Sequence, residues 1–350
     1  MRRPVRIVLA LAIGLVLLVL ALYGVDVGRV RELMRGVRPL WLVAAGVIYL
    51  SAYFVRSLRW RLILRPVHRL AVSESFFMLM AGYFLNYVIP IRAGEVAKSF
   101  FLKKLKGVPI ATSLPTVFLD KLMELVSIVL VVLMLPILSV SLSGALATLI
   151  YTVLAIFGLA IGLLVLAIRN ERLAARILSG AFAWLPSRVS SRLSDWFELF
   201  VRGLGVVRHN VKAIWPLLGM TGLAVLLDAV YFWTMFWAFS IRVPFPMVLF
   251  GYTLLSLSYI LPTPPAQIGY NEFVIGLIFA AGLGLVRDEV SAVMILAHVL
   301  TGLIITAVGF WSFGAMSIRV GESFRRISGS GGREAAPSPA GTGSRRADAP

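Results

Sequence analysis

Three ionisable side chains follow Pro90 within nine positions, inside a stretch that is otherwise apolar. The segment Leu85–Lys98 reads LNYVIPIRAGEVAK and carries Arg92, Glu95 and Lys98. A guanidinium beside the free N–H groups of a half-helix starting at Gly94 suits an anionic phosphate. Carboxylates suit a cationic headgroup, and Glu95, Asp120 and Glu272 are the candidates. A charge at membrane depth costs at least ~2.5–3.5 kcal/mol, so its presence there implies a use. A second stretch repeats the pattern: LSYILP ends at Pro262, and Gly269, Asn271 and Glu272 follow. Gly94 and Gly269 permit the sharp backbone turns that such a tip needs.

Other charges fall inside apolar runs. Asp120, Lys121 and Glu124 lie near the start of one, Asp228 lies within another, and His298 within a third. Asp120 and Glu124 are spaced i,i+4 and share one helix face; Glu95 and Lys98, at i,i+3, can pair along a short helix. The bland alternative is that these groups are ion pairs closing the tips, above all Asp120 and Lys121. The sharper reading makes Glu95, Asp120, Glu124, Asp228 and His298 candidates for proton or ion coupling. Catalysis has little support: the chain has no cysteine, no G-x-S-x-G, no H-E-x-x-H and no P-loop. His68, His209 and His298 lack metal-ligand spacing. The expectation is no enzyme, no metal and no cofactor.

The elements that hold these residues are membrane helices. Hydrophobic residues make up 59% of the 350 and charged ones 14%, too apolar for a soluble domain of this length. Residues 7–23 form an uncleaved first span and 40–55 a second. Arg56, Arg59, Arg61, Arg65 and Arg69 then mark a cytoplasmic segment, with a Trp/Arg collar at headgroups as the sharper version. Residues 76–89 and 96–102 are each too short to cross, so 73–102 reads as a re-entrant hairpin whose tip must be covered by protein or line a wet cavity. Residues 114–138, 145–168, 214–240 and 290–316 are long apolar runs. The 246–285 region is a second broken hairpin, residues 24–38 an outer loop, and Arg287–Glu289 a small solvated loop. The 169–213 segment has the pattern of amphipathic helices on the cytoplasmic face. The fold class is an all-α polytopic membrane protein, with about eight spanning helices plus the two hairpins. One helical membrane domain covers 1–317, and 318–350 is a disordered basic tail.

With both termini cytoplasmic, 26 of the 34 Lys and Arg fall on inner segments, as the positive-inside rule demands. The net charge of +18 therefore reflects topology and anionic lipid at the cytoplasmic face, with no nucleic-acid partner. The two hairpins then enter from opposite sides, which is the arrangement of an inverted repeat.

These residues resemble the transmembrane region of lysylphosphatidylglycerol synthases and their stand-alone, flippase-like relatives. The matching features are Arg59-Trp60, the N-x-x-x-P-x-R-A-G-E-x-x-[RK] element from Asn86 to Lys98, Asp120-Lys121, and Pro262 to Glu272. The resemblance adds Asn86 and Pro90 to the substrate-binding set. Two departures stand out. The family's second tip resembles P-x-x-P-G-G-x-G-x-x-E, whereas this chain has Ala266-Gln267 where the paired glycines would sit, so Gln267 brings a polar side chain to that tip. His298 stands where an arginine is expected in the last span. The resemblance implies translocation of a phospholipid or lipid-linked molecule across a bacterial inner membrane, without the synthases' aminoacyltransferase domain. The alternative is an accessory factor that presents lipids to a partner enzyme through the 169–213 segment.

Overall fold

The computed structural model describes residues 3–89, 94–133, 214–259 and 263–317, with isolated positions at 152, 155, 159, 162 and 173. Every extended element in these residues is helical. The segments read above as 145–168, 169–213 and the 318–350 tail lie outside this set, apart from the isolated positions, as do Pro90 and Arg92.

Helix α1 (Arg3–Leu22) is followed after four residues by α2 (Val27–Arg35), turned by 85°. The expected outer loop at 24–38 is thus mostly helix. Asp26 starts it, its carboxylate accepting from the N–H groups of Gly28 (2.8 Å) and Arg29 (3.1 Å), which is what an N-cap aspartate does. The Asp26 N–H in turn donates to Asp288 Oδ1 at 3.0 Å. Asp288 and Glu289 are not loop residues: they form the acidic first turn of a long helix, where the helix dipole favours negative charge.

Helix α3 (Pro39–Leu64) runs well past the predicted end at Val55. Arg56 (9% exposed), Arg59 (1%) and Trp60 (0%) are interior residues of this helix, so they do not form a headgroup collar. Helix α4 (Val72–Val88) stops at the predicted proline break, and α5 (Gly94–Lys106) returns beside it. The return depends on a glycine pair. A Cβ on Gly82 would sit 2.8 Å from the Gly94 carbonyl oxygen, and one on Gly94 would collide with the Gly82 carbonyl. At the open end of this hairpin Glu74 pairs with Lys106. Glu74 lies outside the apolar run, and its carboxyl is held below the usual range by the Lys106 ammonium and then by the Ala71 N–H.

Helix α6 (Ile110–Leu133) carries the Asp120, Lys121 and Glu124 face. Helix α7 (Ile214–Ala238) packs along α3, and α8 (Phe245–Ser258) enters the second hairpin. Its tip holds a 3-10 turn, Pro265–Gln267, then α9 (Tyr270–Ile275), which continues into a π-helical turn, Gly276–Gly282. Helix α10 (Arg287–Ala315) closes the bundle, packing along α4. Among the described residues α3, α7 and α10 are long and apolar enough to cross a membrane, and the bent α1/α2 pair adds a fourth candidate. Trp60, Phe101, Phe250, Phe279 and Phe313 fill the interior. Leu15, Val19, Leu303 and Trp311 stand at least half exposed on outer faces, a pattern suited to lipid and hazardous in water.

Candidate functional site

Two polar clusters flank one cavity of about 160 Å³ at the centre of the bundle. An apolar void of roughly 150 Å³ stays dry. This one has hydroxyls, amides and ion pairs in its wall, a lining suited to water or a polar ligand. The wall takes Asn86 and Tyr87 from the first hairpin's α4, Glu95 from its α5, and Gln267 and Asn271 from the second hairpin's tip. Tyr83 of α4, Tyr259 and Thr263 of the second hairpin, and helices α3, α6, α7, α8 and α10 supply the rest. Seven of the chain's ten tyrosines face this space.

The first cluster is a continuous chain of ion pairs. Asp228 takes both outer nitrogens of Arg56 and a hydrogen bond from the Tyr252 hydroxyl at 2.5 Å. Arg56 Nε lies 3.7 Å from Glu124 Oε1. Arg59 donates from Nε to Asp120 Oδ1 (2.9 Å) and from Nη2 to Glu124 Oε1 (3.4 Å), with Thr221 accepting from Nη1 at 3.2 Å. Lys98 Nζ sits between Glu95 (3.0 Å) and Asp120 Oδ2 (3.1 Å). Lys121 reaches Glu124 at 2.5 Å and Glu95 at 4.0 Å. Four cations meet four carboxylates, so the cluster is neutral. Removing one partner from such a buried pair typically costs ~3–5 kcal/mol.

The second cluster fixes the second tip. His298 meets Glu272 at 2.5 Å through Nδ1 and the Ala266 carbonyl at 2.7 Å through Nε2. Against an ionised Glu272 both partners are acceptors, and the ring then serves both as the doubly protonated cation. Asn271 donates to Gln267 Oε1 (3.0 Å) and accepts from Tyr259 (3.0 Å). Ala266 and Gln267 have φ of +53° and +58°, and Gly269 has +77°. The two residues that stand in place of glycines therefore hold a conformation in which a Cβ is strained, at a cost of order 1–3 kcal/mol each. His298 and Asn271 grip that strained turn from two sides. A Cβ on Gly269 would strike the Gly14 carbonyl, so α1 sits directly on the tip.

Of the residues singled out in the sequence, Asn86, Glu95, Lys121, Glu124, Asp228, Gln267, Asn271 and His298 line the cavity. Glu272 does not: its carboxylate turns to His298. Asp120 and Lys98 sit behind the wall, 3% exposed each. Gly94 starts α5, where its N–H donates to Asn86 Oδ1 at 2.7 Å, and Gly269 supports the second tip. Among the described residues no three His, Asp or Glu side chains converge as a metal site would require. Sequence reasoning missed Arg56, Arg59 and the tyrosines. In α3, Tyr49, Tyr53, Arg56 and Trp60 follow at 4, 3 and 4 residues, a spacing that puts them on one helix face without showing that this face points inward.

An all-helical membrane protein, with two interrupted helical hairpins bounding a polar cavity, is the class that fold and site define. Residues 7–309 match the family model for the lysylphosphatidylglycerol synthase transmembrane region, and the chain belongs to that family. It is 24% identical over 356 residues to glycosyltransferase AglD of Haloferax volcanii, covering 90% of this chain and 55% of that protein. It is also 24% identical over 329 residues to a UPF0104 membrane protein of Methanothermobacter thermautotrophicus, covering 85% of this chain and 90% of that one. A third relative, UPF0104 membrane protein MJ1595 of Methanocaldococcus jannaschii, is 22% identical over 121 residues, 34% of this chain and 35% of its own length. No solved structure matches the chain.

Proposed function

We propose that the protein moves a lipid or lipid-linked molecule between the leaflets of a bacterial inner membrane, with both termini cytoplasmic. The observation that supports this is the sharing of one polar cavity by side chains from both interrupted hairpins. In this reading the hairpins enter from opposite sides as an inverted repeat, and their tips part in turn to open the cavity to each leaflet. Arg92, which lies outside the described residues, is proposed to meet a phosphate that joins the headgroup to its lipid. The relative named as a glycosyltransferase fits the handling of a lipid-linked molecule, and the family's name fits a lipid substrate. No nucleotide motif is present in the sequence, so movement is downhill or coupled to an ion. All four carboxylates of the ion-pair chain are held by cations, but the side chains of Asp120 and Asp228 are nearly enclosed, 5% and 6% exposed, whereas that of Glu95 is 22% exposed; this favours Glu95, with the Glu272–His298 pair, as the coupling groups.

The natural lack of cysteine makes a direct test available. A single cysteine at Ser256 or Thr301, both in the cavity wall, is exposed to a membrane-impermeant thiol reagent from one face and then the other. A lipid path predicts reaction from both faces. An accessory factor with a one-sided pocket predicts reaction from one face only, and that result would sink the transport reading.

A further inference from the structure

The geometry points to an uncharged, hydroxyl-rich headgroup, of the glycosyl type, as the ligand of the described cavity. This inference rests on the translocation reading and names its substrate class.

Two facts about the wall carry it. First, its charges are already satisfied by one another. Arg56, Arg59, Lys98 and Lys121 each have a carboxylate within 4.0 Å, and His298 has Glu272. A phosphate entering this part of the cavity finds no uncommitted cation among the described residues, and to gain one it must break a buried pair. Second, the hydrogen-bonding groups left over are neutral. Asn86 gives its Oδ1 to the Gly94 N–H and Gln267 its Oε1 to Asn271, so each side-chain NH₂ remains toward the cavity. The hydroxyls of Tyr87, Ser256 and Thr263 also line the cavity, with no partner among the described residues. Five neutral groups from both hairpins therefore surround one space: two amide donors, and three hydroxyls that both donate and accept.

A sugar ring presents the complementary surface. Its hydroxyls donate and accept in every direction, and its C–H faces pack on aromatic rings. Tyrosine supplies such a ring together with a polar end. A choline or lysyl headgroup would instead call for an unpaired carboxylate, yet every carboxylate in the wall has a cation. The occupied acceptors orient the amides: the Gly94 N–H holds Asn86 Oδ1, and the Asn271 amide donates to Gln267 Oε1.

The test uses the full chain in phosphatidylcholine nanodiscs and native mass spectrometry of bound lipid. The probes are a monohexosyl diacylglycerol, phosphatidic acid, and methyl glucoside as the soluble source of the same chemistry. The expected result is preferential retention of the hexosyl lipid over phosphatidic acid. Tyr87→Phe and Ser256→Ala, which remove hydroxyls without breaking a protein hydrogen bond, should each weaken it by roughly two- to tenfold, the loss of one hydrogen bond. Asn86→Leu should weaken it further. Preference for phosphatidic acid, or hexosyl-lipid binding unmoved by all three substitutions, would overturn the assignment. Displacement of the lipid by methyl glucoside at matched concentration would overturn the lipid source. Transfer assays in liposomes separate the two claims. Binding that responds to the substitutions with no leaflet exchange removes translocation but keeps the headgroup assignment. Exchange of phosphatidic acid in preference to the hexosyl lipid does the reverse.

Discussion

Asp120→Asn tests whether the buried ion-pair chain is structure or machinery. The substitution is isosteric and leaves the backbone of α6 untouched. It removes the negative charge from the carboxylate that takes Arg59 Nε at 2.9 Å and Lys98 Nζ at 3.1 Å. Each charge-assisted hydrogen bond contributes ~1.5–3 kcal/mol, so the two lost together correspond to about 3–6 kcal/mol. Neither cation is wholly abandoned, since Lys98 retains Glu95 at 3.0 Å and Arg59 retains Glu124 at 3.4 Å. The expected loss is therefore near the lower end, about 3 kcal/mol. Lys98→Met removes the other half of one contact, and with Asp120→Asn completes a double-mutant cycle. Because the two side chains touch, the double variant should be more stable than the sum of the singles by about 1–2 kcal/mol. The assay is reversible unfolding of the detergent-solubilised protein in sodium dodecyl sulfate, followed by tryptophan fluorescence. Trp60, with the Lys98 ammonium 5.4 Å from its ring, reports on this region. A destabilisation below about 1 kcal/mol, or strict additivity in the cycle, would refute the structural role and return Asp120 to the proton carriers.

The second tip gives two further outcomes. Gly269→Ala should lower stability by at least ~1–3 kcal/mol from its φ of +77° alone, and proteolysis should then release α1, whose Gly14 carbonyl the new Cβ would strike. Ala266→Gly should change stability by less than about 1 kcal/mol, since relief at φ +53° offsets the greater freedom of the unfolded chain. Ala266→Val in the same unfolding assay should be clearly destabilising. At the mouth of the first hairpin, the Glu74 carboxyl is depressed in the folded state. Its contribution is thus present above the unfolded carboxyl value, near 4.5, and is lost as pH falls through the folded one. Glu74→Gln should remove that part of the acid slope, at most about 1 kcal/mol for a pair this exposed.

The hairpin breaks were legible because proline and glycine act locally. Pro90 ends α4 whatever surrounds it, and Gly94 is the residue at which α5 can begin against Gly82. The Glu95–Lys98 pair was equally local, three residues apart on one helix. The interior arginines were not legible, because their partners lie 61 residues away at Asp120 and 172 away at Asp228. Five arginines without a nearby acid look like a cytoplasmic flank, and only tertiary packing reveals that two of them face inward. The tyrosines were invisible for a different reason: each is ordinary alone, and only their convergence on one cavity gives them meaning. Helix α2 could have been found, since Asp26 before a short amphipathic run is a start signal, but its three arginines with Arg38 drew the reading toward a loop. The strain at Ala266 and Gln267 was foreshadowed only by comparison with glycines at those places; the sequence itself holds no sign that His298 and Asn271 secure the turn.

The central claim is that the cavity between the two hairpins is a route for a lipid headgroup, and leaflet exchange measures it directly. The purified chain is reconstituted into liposomes carrying a fluorescent hexosyl lipid, and a membrane-impermeant reductant bleaches the probe in the outer leaflet. The account predicts bleaching beyond the protein-free level, reduced in Asn86→Leu and in Gln267→Leu, each of which alters one hairpin. Bleaching that stays at the protein-free level for the hexosyl lipid, and for anionic, cationic and polyprenyl-linked probes alike, would contradict it.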